Sequence, residues 1–105
     1  MMTISTPTVP KAALQALTEL TGESRFNVAL LIALQDAVEH RLEKIDAAIQ
    51  ELEQKYGMSF EQFQAKGQAG ELPDRLSYAV ESDYFEWDGL LSRKKKLEKI
   101  SQWLV

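Results

Sequence analysis

An all-α fold, an antiparallel coiled-coil-like hairpin of two long helices with two short helices beside it, is what this sequence predicts, on three observations. Between Phe26 and Tyr56 there is no glycine or proline to interrupt a helix. Within that stretch Leu31, Val38, Leu42, Ile45, Ile49, Leu52 and Tyr56 recur at spacings of seven, four, three, four, three and four. That alternation keeps an apolar seam turned toward a supercoiling partner helix. Near the C-terminus Val80, Tyr84, Trp87, Leu90, Leu91, Leu97 and Leu104 share one broad helical face, a match for the seam. A helix with such a seam cannot bury it alone, so the two long helices fold back on each other and no β-strand is needed.

Residues 1–8 read as a polar, flexible tail, and residues 9–105 as a single helical domain. Pro10 suits the first turn of a short helix ending near Thr21, where Gly22 supplies the stop. Ser24 is the expected cap of the long helix, roughly 33 residues and about 50 Å at the usual helical rise. Gly57 ends it. In the next segment, GMSFEQFQAKG, Ser59 and Gln62 have the spacing of a capping box, and Met58 with Phe63 that of a hydrophobic staple, so a short third helix follows. Gly67, Gly70 and Pro73 then mark a turn, and the last helix begins between Pro73 and Ser82 and runs nearly to the end.

A chain of 105 residues, 45% apolar and 27% charged, is one small globular domain with a modest core. It has no cysteine, which removes disulfides and thiolate chemistry and suits a reducing compartment, so the cytoplasm is the expected location. The start, MMTISTPTVP, lacks the basic-then-apolar pattern of a secretory leader, and the longest apolar run, VALLIAL, is far short of a membrane span. The net charge of −4 is unevenly placed: residues 1–92 hold 7 Lys and Arg against 15 Asp and Glu, and residues 93–105 hold 5 against 1. An acidic body argues against general nucleic-acid affinity and favours a basic protein partner. The four charges Arg93 to Lys96 wind around a helix rather than forming a stripe, which leaves only weak nucleic-acid contact through the basic C-terminal helix.

The stretch VESDYFEWDG gathers four carboxylates, yet Glu81 and Asp88 project to one side of a helix and Asp83 and Glu86 to another. They do not converge as paired acids or a metal cage require. His40, the only histidine, falls about 160° around the wheel from Val38, which makes it a solvated residue rather than a ligand or base. No activated nucleophile and no phosphate loop is visible, and the sequence assigns no catalytic, cofactor or metal residue. An all-α Mg²⁺-dependent nucleotide hydrolase ranks last, with Asp36, Glu39 and Glu43 as its only candidates.

Two features exceed what a hairpin requires. Over residues 28–34 the apolar side chains surround the helix, and Ala29, Ala33 and Ala37 form a line of small residues away from Val38 and Leu42. Either the first helix covers this side or a second copy of the chain does; the latter makes Ala29, Leu30, Ile32, Ala33 and Ala37 a homodimer interface. On the last helix Tyr78, Phe85 and Trp103 sit off the seam, Phe85 about 160° from Trp87. Rings outside the core are typical binding anchors, so Tyr78, Glu81, Phe85, Asp88 and Trp103 are the expected partner-binding residues.

The stretch LEQKYGMSFEQFQAKG, followed by LSYAVESDYFEWDGLL, resembles a family of small bacterial and archaeal proteins in which Tyr-Gly-Met-Ser-Phe-x-x-Phe precedes an acidic Asp-Tyr-x-x-Trp helix. Such proteins are similar to antitoxins of toxin–antitoxin pairs. The resemblance covers about residues 42–105 and implies roles for Tyr56, Gly57, Met58, Phe60 and Phe63, and for Glu81, Asp83, Tyr84, Phe85, Glu86 and Trp87. Antitoxins often add a DNA-binding module, and no helix-turn-helix signature is visible here. The resemblance implies a non-catalytic interaction module that sterically neutralises a basic, nuclease-like toxin. The alternative is a homo-oligomeric coiled-coil scaffold, which needs the same acidic helices and no toxin.

Overall fold

The computed structural model describes residues 8–72 and 77–105, and among them the protein is all-α. Its helices are α1 (Lys11–Thr21), α2 (Phe26–Tyr56), α3 (Phe60–Gln68) and α4 (Tyr78–Trp103). The expected tail falls outside the described residues apart from the exposed Thr8, and so does Pro73 of the expected turn. Backbone packing divides the chain into two compact units, the first reaching to Ala37 and including Leu104, the second running from Val38 to Trp103. The continuous helix α2 contributes to both. Among the described residues no helix is long and apolar enough to cross a membrane.

In the first unit, Pro10 stands at the N-cap of α1, and Gly22 closes it in the left-handed region at φ 71°, its N–H reaching Thr18 O at 2.9 Å. Glycine adopts that conformation at little cost, which is why the helix stops there. The expected cap of α2, Ser24, gives way to its neighbour. The carboxylate of Glu23 accepts the Arg25 N–H at 3.0 Å and pairs with its guanidinium at 2.8 Å, tying down the turn from which α2 starts. These bonds from Arg25 hold the Glu23 carboxyl down at about 2. No residue of α1 is buried, whereas Ala29 of α2 is fully enclosed. Leu31, expected on the seam, is instead 39% exposed, so the buried part of the seam begins at Val38. Gln35 Nε2 donates to Leu104 O at 2.8 Å.

The second unit contains the hairpin. Val38, Ile45, Ile49 and Leu52 of α2 are buried, and Leu42 and Tyr56 are half-buried between them. Against them α4 turns Val80, Tyr84, Trp87, Leu90, Leu91 and Leu97, with Trp87 fully enclosed. The pairing is antiparallel: Lys94 Nζ meets Asp46 at 2.7 Å near one end, and Lys55 Nζ meets Asp83 at 2.6 Å near the other. Gly57, at φ 65°, turns the chain out of α2. Ser59 and Gln62 then form the expected capping box, each side chain accepting the other's backbone N–H, at 3.2 and 3.1 Å. That cap starts α3 in the direction that carries Phe63 into the core with Leu52 and Trp87. Met58 packs on the same cluster, as the staple spacing predicts.

One punctuation mark is different from the expectation. Gly67 lies inside α3, which runs on to Gln68, and it is Gly70, at φ 74°, that turns the chain. Leu72 folds back so that its Cδ1 lies 3.4 Å from where a Cβ on Gly67 would stand. The glycine therefore serves close packing within the helix rather than its termination.

Candidate interaction face on the last helix

Helix α4 has two sides with different chemistry. The inner side is an aromatic cluster. The Trp87 ring stands 5.3 Å from Phe63, 5.5 Å from Phe60 in an edge contact and 6.1 Å from Tyr56, centroid to centroid. Tyr84 stacks on Phe60 at 5.5 Å, and its hydroxyl accepts a bond from Gln64 Nε2 at 3.1 Å. Rings in these offset and edge arrangements attract one another beyond their area burial, so α3 is fastened to α4 through π-contacts.

Asp83 belongs to this inner side, although the sequence groups it with the surface carboxylates. Its Oδ2 accepts both the Lys55 ammonium and the Tyr56 hydroxyl, and its side chain is only 15% exposed. The bonds from Lys55 and then Tyr56 hold its carboxyl below the ordinary carboxylate range. Burial, reinforced by the carboxylate, pushes the Tyr56 hydroxyl up to about 12. This node locks the end of α2 to α4. Its signal in the sequence is that Asp83 stands four residues before Trp87, on the same side of the helix.

The outer side carries the residues expected to bind a partner. Tyr78 is 86% exposed, Phe85 65% and Trp103 69%, and Glu81 and Asp88 are exposed among them. At helical spacing Tyr78, Glu81, Phe85 and Asp88 fall on one stripe, away from Trp87. Phe85 meets the ring of Tyr84 edge-on at 5.6 Å. Beside it a cleft of about 330 Å³ opens between α3 and α4, walled by Phe63, Gln64, Leu72, Val80 and Tyr84. A shallower hollow lies between Tyr78, Glu81, Ser82 and Phe85. Phe85 thus borders two depressions that suit apolar side chains of a partner.

The other expected residues are placed as follows. Of the expected homodimer-interface residues, Ala29 is already enclosed within the chain and has no surface to offer a second copy, Ile32 and Ala33 are half-buried, and Leu30 and Ala37 are exposed. Phe26, Leu30, Leu31 and Leu34 form an exposed apolar ridge there, each between 38% and 44% accessible. Asp36, Glu39, His40 and Glu43 all lie exposed on α2. Among the described residues no group of three or more His, Asp or Glu is placed to hold a metal ion. Of the basic run, Lys94 turns inward to Asp46, which raises its pKa, while Arg93, Lys95 and Lys96 stay exposed.

Fold and surface together define a small helical-hairpin protein whose last helix is packed on one side and open on the other. The chain belongs to the uncharacterized protein MJ0235 family, whose model matches residues 12–102, from α1 to the end of α4. No curated protein and no solved structure matches it.

Proposed function

We propose that this chain is a non-catalytic protein-interaction module, and specifically an antitoxin that neutralises a basic, nuclease-like toxin by covering it. One observation carries this reading: Tyr78, Glu81, Phe85 and Asp88 share an exposed face of α4 while the same helix buries Trp87 completely. A face that the fold does not need, set with rings and carboxylates, is suited to grip a cationic surface. Carboxylates speed the encounter, and rings desolvated in the complex slow its dissociation. Inhibition is steric, by occupation of the toxin's RNA-binding surface, and it takes place in the cytoplasm, as the absence of cysteine suggests.

The test is co-expression with a small basic protein encoded beside this chain. That protein alone should arrest growth, the chain should restore it, and Phe85→Ala should abolish the rescue while leaving the fold intact. A neighbour without toxicity, or full rescue by the Phe85→Ala, Glu81→Lys double variant, would defeat the antitoxin reading. A second reading, a homo-oligomeric scaffold, is favoured by the exposed ridge of Phe26, Leu30, Leu31 and Leu34, which a second copy of the chain would cover.

A further inference from the structure

The outer face of α4 carries three exposed rings, Tyr78, Phe85 and Trp103, in one heptad register that the hairpin leaves unused. From Tyr78 through Ser82, Phe85, Gly89, Ser92, Lys96 and Lys99 to Trp103 the spacings alternate four and three, with rings at three of the eight places and small or basic residues at the rest. Those are the intervals of a heptad seam, and each of these residues is exposed. These residues lie on the side of α4 opposite Trp87, turned away from the side that packs on α2 and α3.

The pattern is also self-complementary. The flanks of the seam are acidic in its first half, at Glu86 and Asp88, and basic in its second, at Arg93 and Lys95, and all four side chains are exposed. Rings stand at both ends, and small residues meet in the middle at Gly89 and Ser92. A Cβ added to Gly89 would meet nothing within 4 Å, so the protomer's own packing does not call for glycine there. Glycine weakens a helix interior and permits close approach of another backbone.

We propose that a second copy of the chain docks its own α4 antiparallel on this face, about a two-fold axis level with the Leu90–Leu91 peptide. In that register Tyr78 meets the partner's Trp103, Phe85 meets the partner's Lys96, and Gly89 meets the partner's Ser92. Glu86 pairs with the partner's Arg93 and Asp88 with the partner's Lys95, and the axis repeats each contact. A parallel, in-register arrangement would set Asp88 beside the partner's Arg93 but Glu81 beside the partner's Glu86, which gives half the complementary pairs and adds a like-charge contact, so charge favours the antiparallel orientation. The apolar ridge on α2 has no such pattern to select a partner or a register. The inference rests on reading the outer face of α4 as an interaction surface, and it adds a consequence: a basic protein partner and a second copy compete for the same face.

Sedimentation of the purified full chain tests the pairing, with circular dichroism confirming that each variant folds. The wild type should be a dimer in reversible equilibrium. Glu86→Lys with Asp88→Lys should raise the dissociation constant about tenfold or more, and so should Arg93→Glu with Lys95→Glu. Mixing those two variants should give a heterodimer, and combining all four changes should restore the homodimer. A wild type monomeric at every concentration overturns the proposal. So does a dimer indifferent to both charge reversals, a mixture that fails to pair, or a dimer broken by Leu30→Glu and by neither reversal. Only the chain itself is used, so failure here leaves the antitoxin reading to its own co-expression test.

Discussion

Trp87 and Phe85 stand two positions apart on α4 and face opposite environments, one fully enclosed and the other 65% exposed. Truncating Trp87 to alanine should cost about 3 kcal/mol or more in urea unfolding, because the four rings and four leucines of its cluster cannot close the space. Phe85→Ala should shift stability by less than about 0.5 kcal/mol and show itself only in partner binding. Equal losses from both would contradict the assignment of faces. The Asp83 node makes a pH prediction. Asp83 titrates at its ordinary 3.8 in the unfolded chain and lower in the fold, so its contribution is present above 3.8 and fades as pH falls through the depressed folded value. Tyr56 moves the other way, from 10.0 to about 12, so its contribution is complete below 10.0 and is lost as pH rises toward 12. Tyr56→Phe should cost about 1 kcal/mol at neutral pH and flatten the alkaline limb, while Lys55 preserves the acid limb. Urea melts across the pH range would read both. Of these residues the exposed rings were legible from the helical wheel alone. Asp83 was not, since its role depends on which residues of α2 lie opposite it, and that follows from the register of the hairpin.

At the scale of the element, local chemistry was the most legible. A capping box and a staple involve residues within one turn, so Ser59, Gln62, Met58 and Phe63 announce α3 without knowledge of the rest of the fold. Gly57 marks the end of α2 for the same reason. Gly57→Ala should destabilise the protein by about 1 to 2 kcal/mol in thermal or urea unfolding, because an alanine at φ 65° is strained although no neighbour obstructs its Cβ. Gly67 defeated the same logic. Its place inside α3 depends on Leu72 folding back over it, a contact made after the helix has ended. Ser24 failed for a different reason: Glu23 has a longer reach and a charge, and with Arg25 two residues away it takes over the turn. In α4 the inner face is legible from Val80 to Leu97, while Leu104, expected on the same face, lies past the end of the helix and in the first unit.

For the whole molecule, the all-α hairpin followed from two apolar periodicities, but the division into two units did not. The seam predicted burial from Leu31 onward, and burial of that seam begins at Val38, within the second unit. The difference is one of aromatic content: the second unit closes on Trp87, Phe63 and their neighbours, while α1 in the first unit encloses none of its own side chains. Hydrogen exchange should therefore find the amides of α1 exchanging faster than those of α4 and the second half of α2, since local opening follows buried apolar contact. Uniform protection throughout would contradict it. The charge distribution belongs to this scale as well: the chain is acidic up to residue 92 and basic beyond it. Finally, the chain has two tryptophans, Trp87 without solvent access and Trp103 with 69% of its surface open. Indole emission depends on the polarity around the ring, so the molecule is supplied with a pair of intrinsic fluorophores. A dissolved quencher would reach one of them and not the other, letting a single spectrum separate melting of the interior from occupancy of the outer helix.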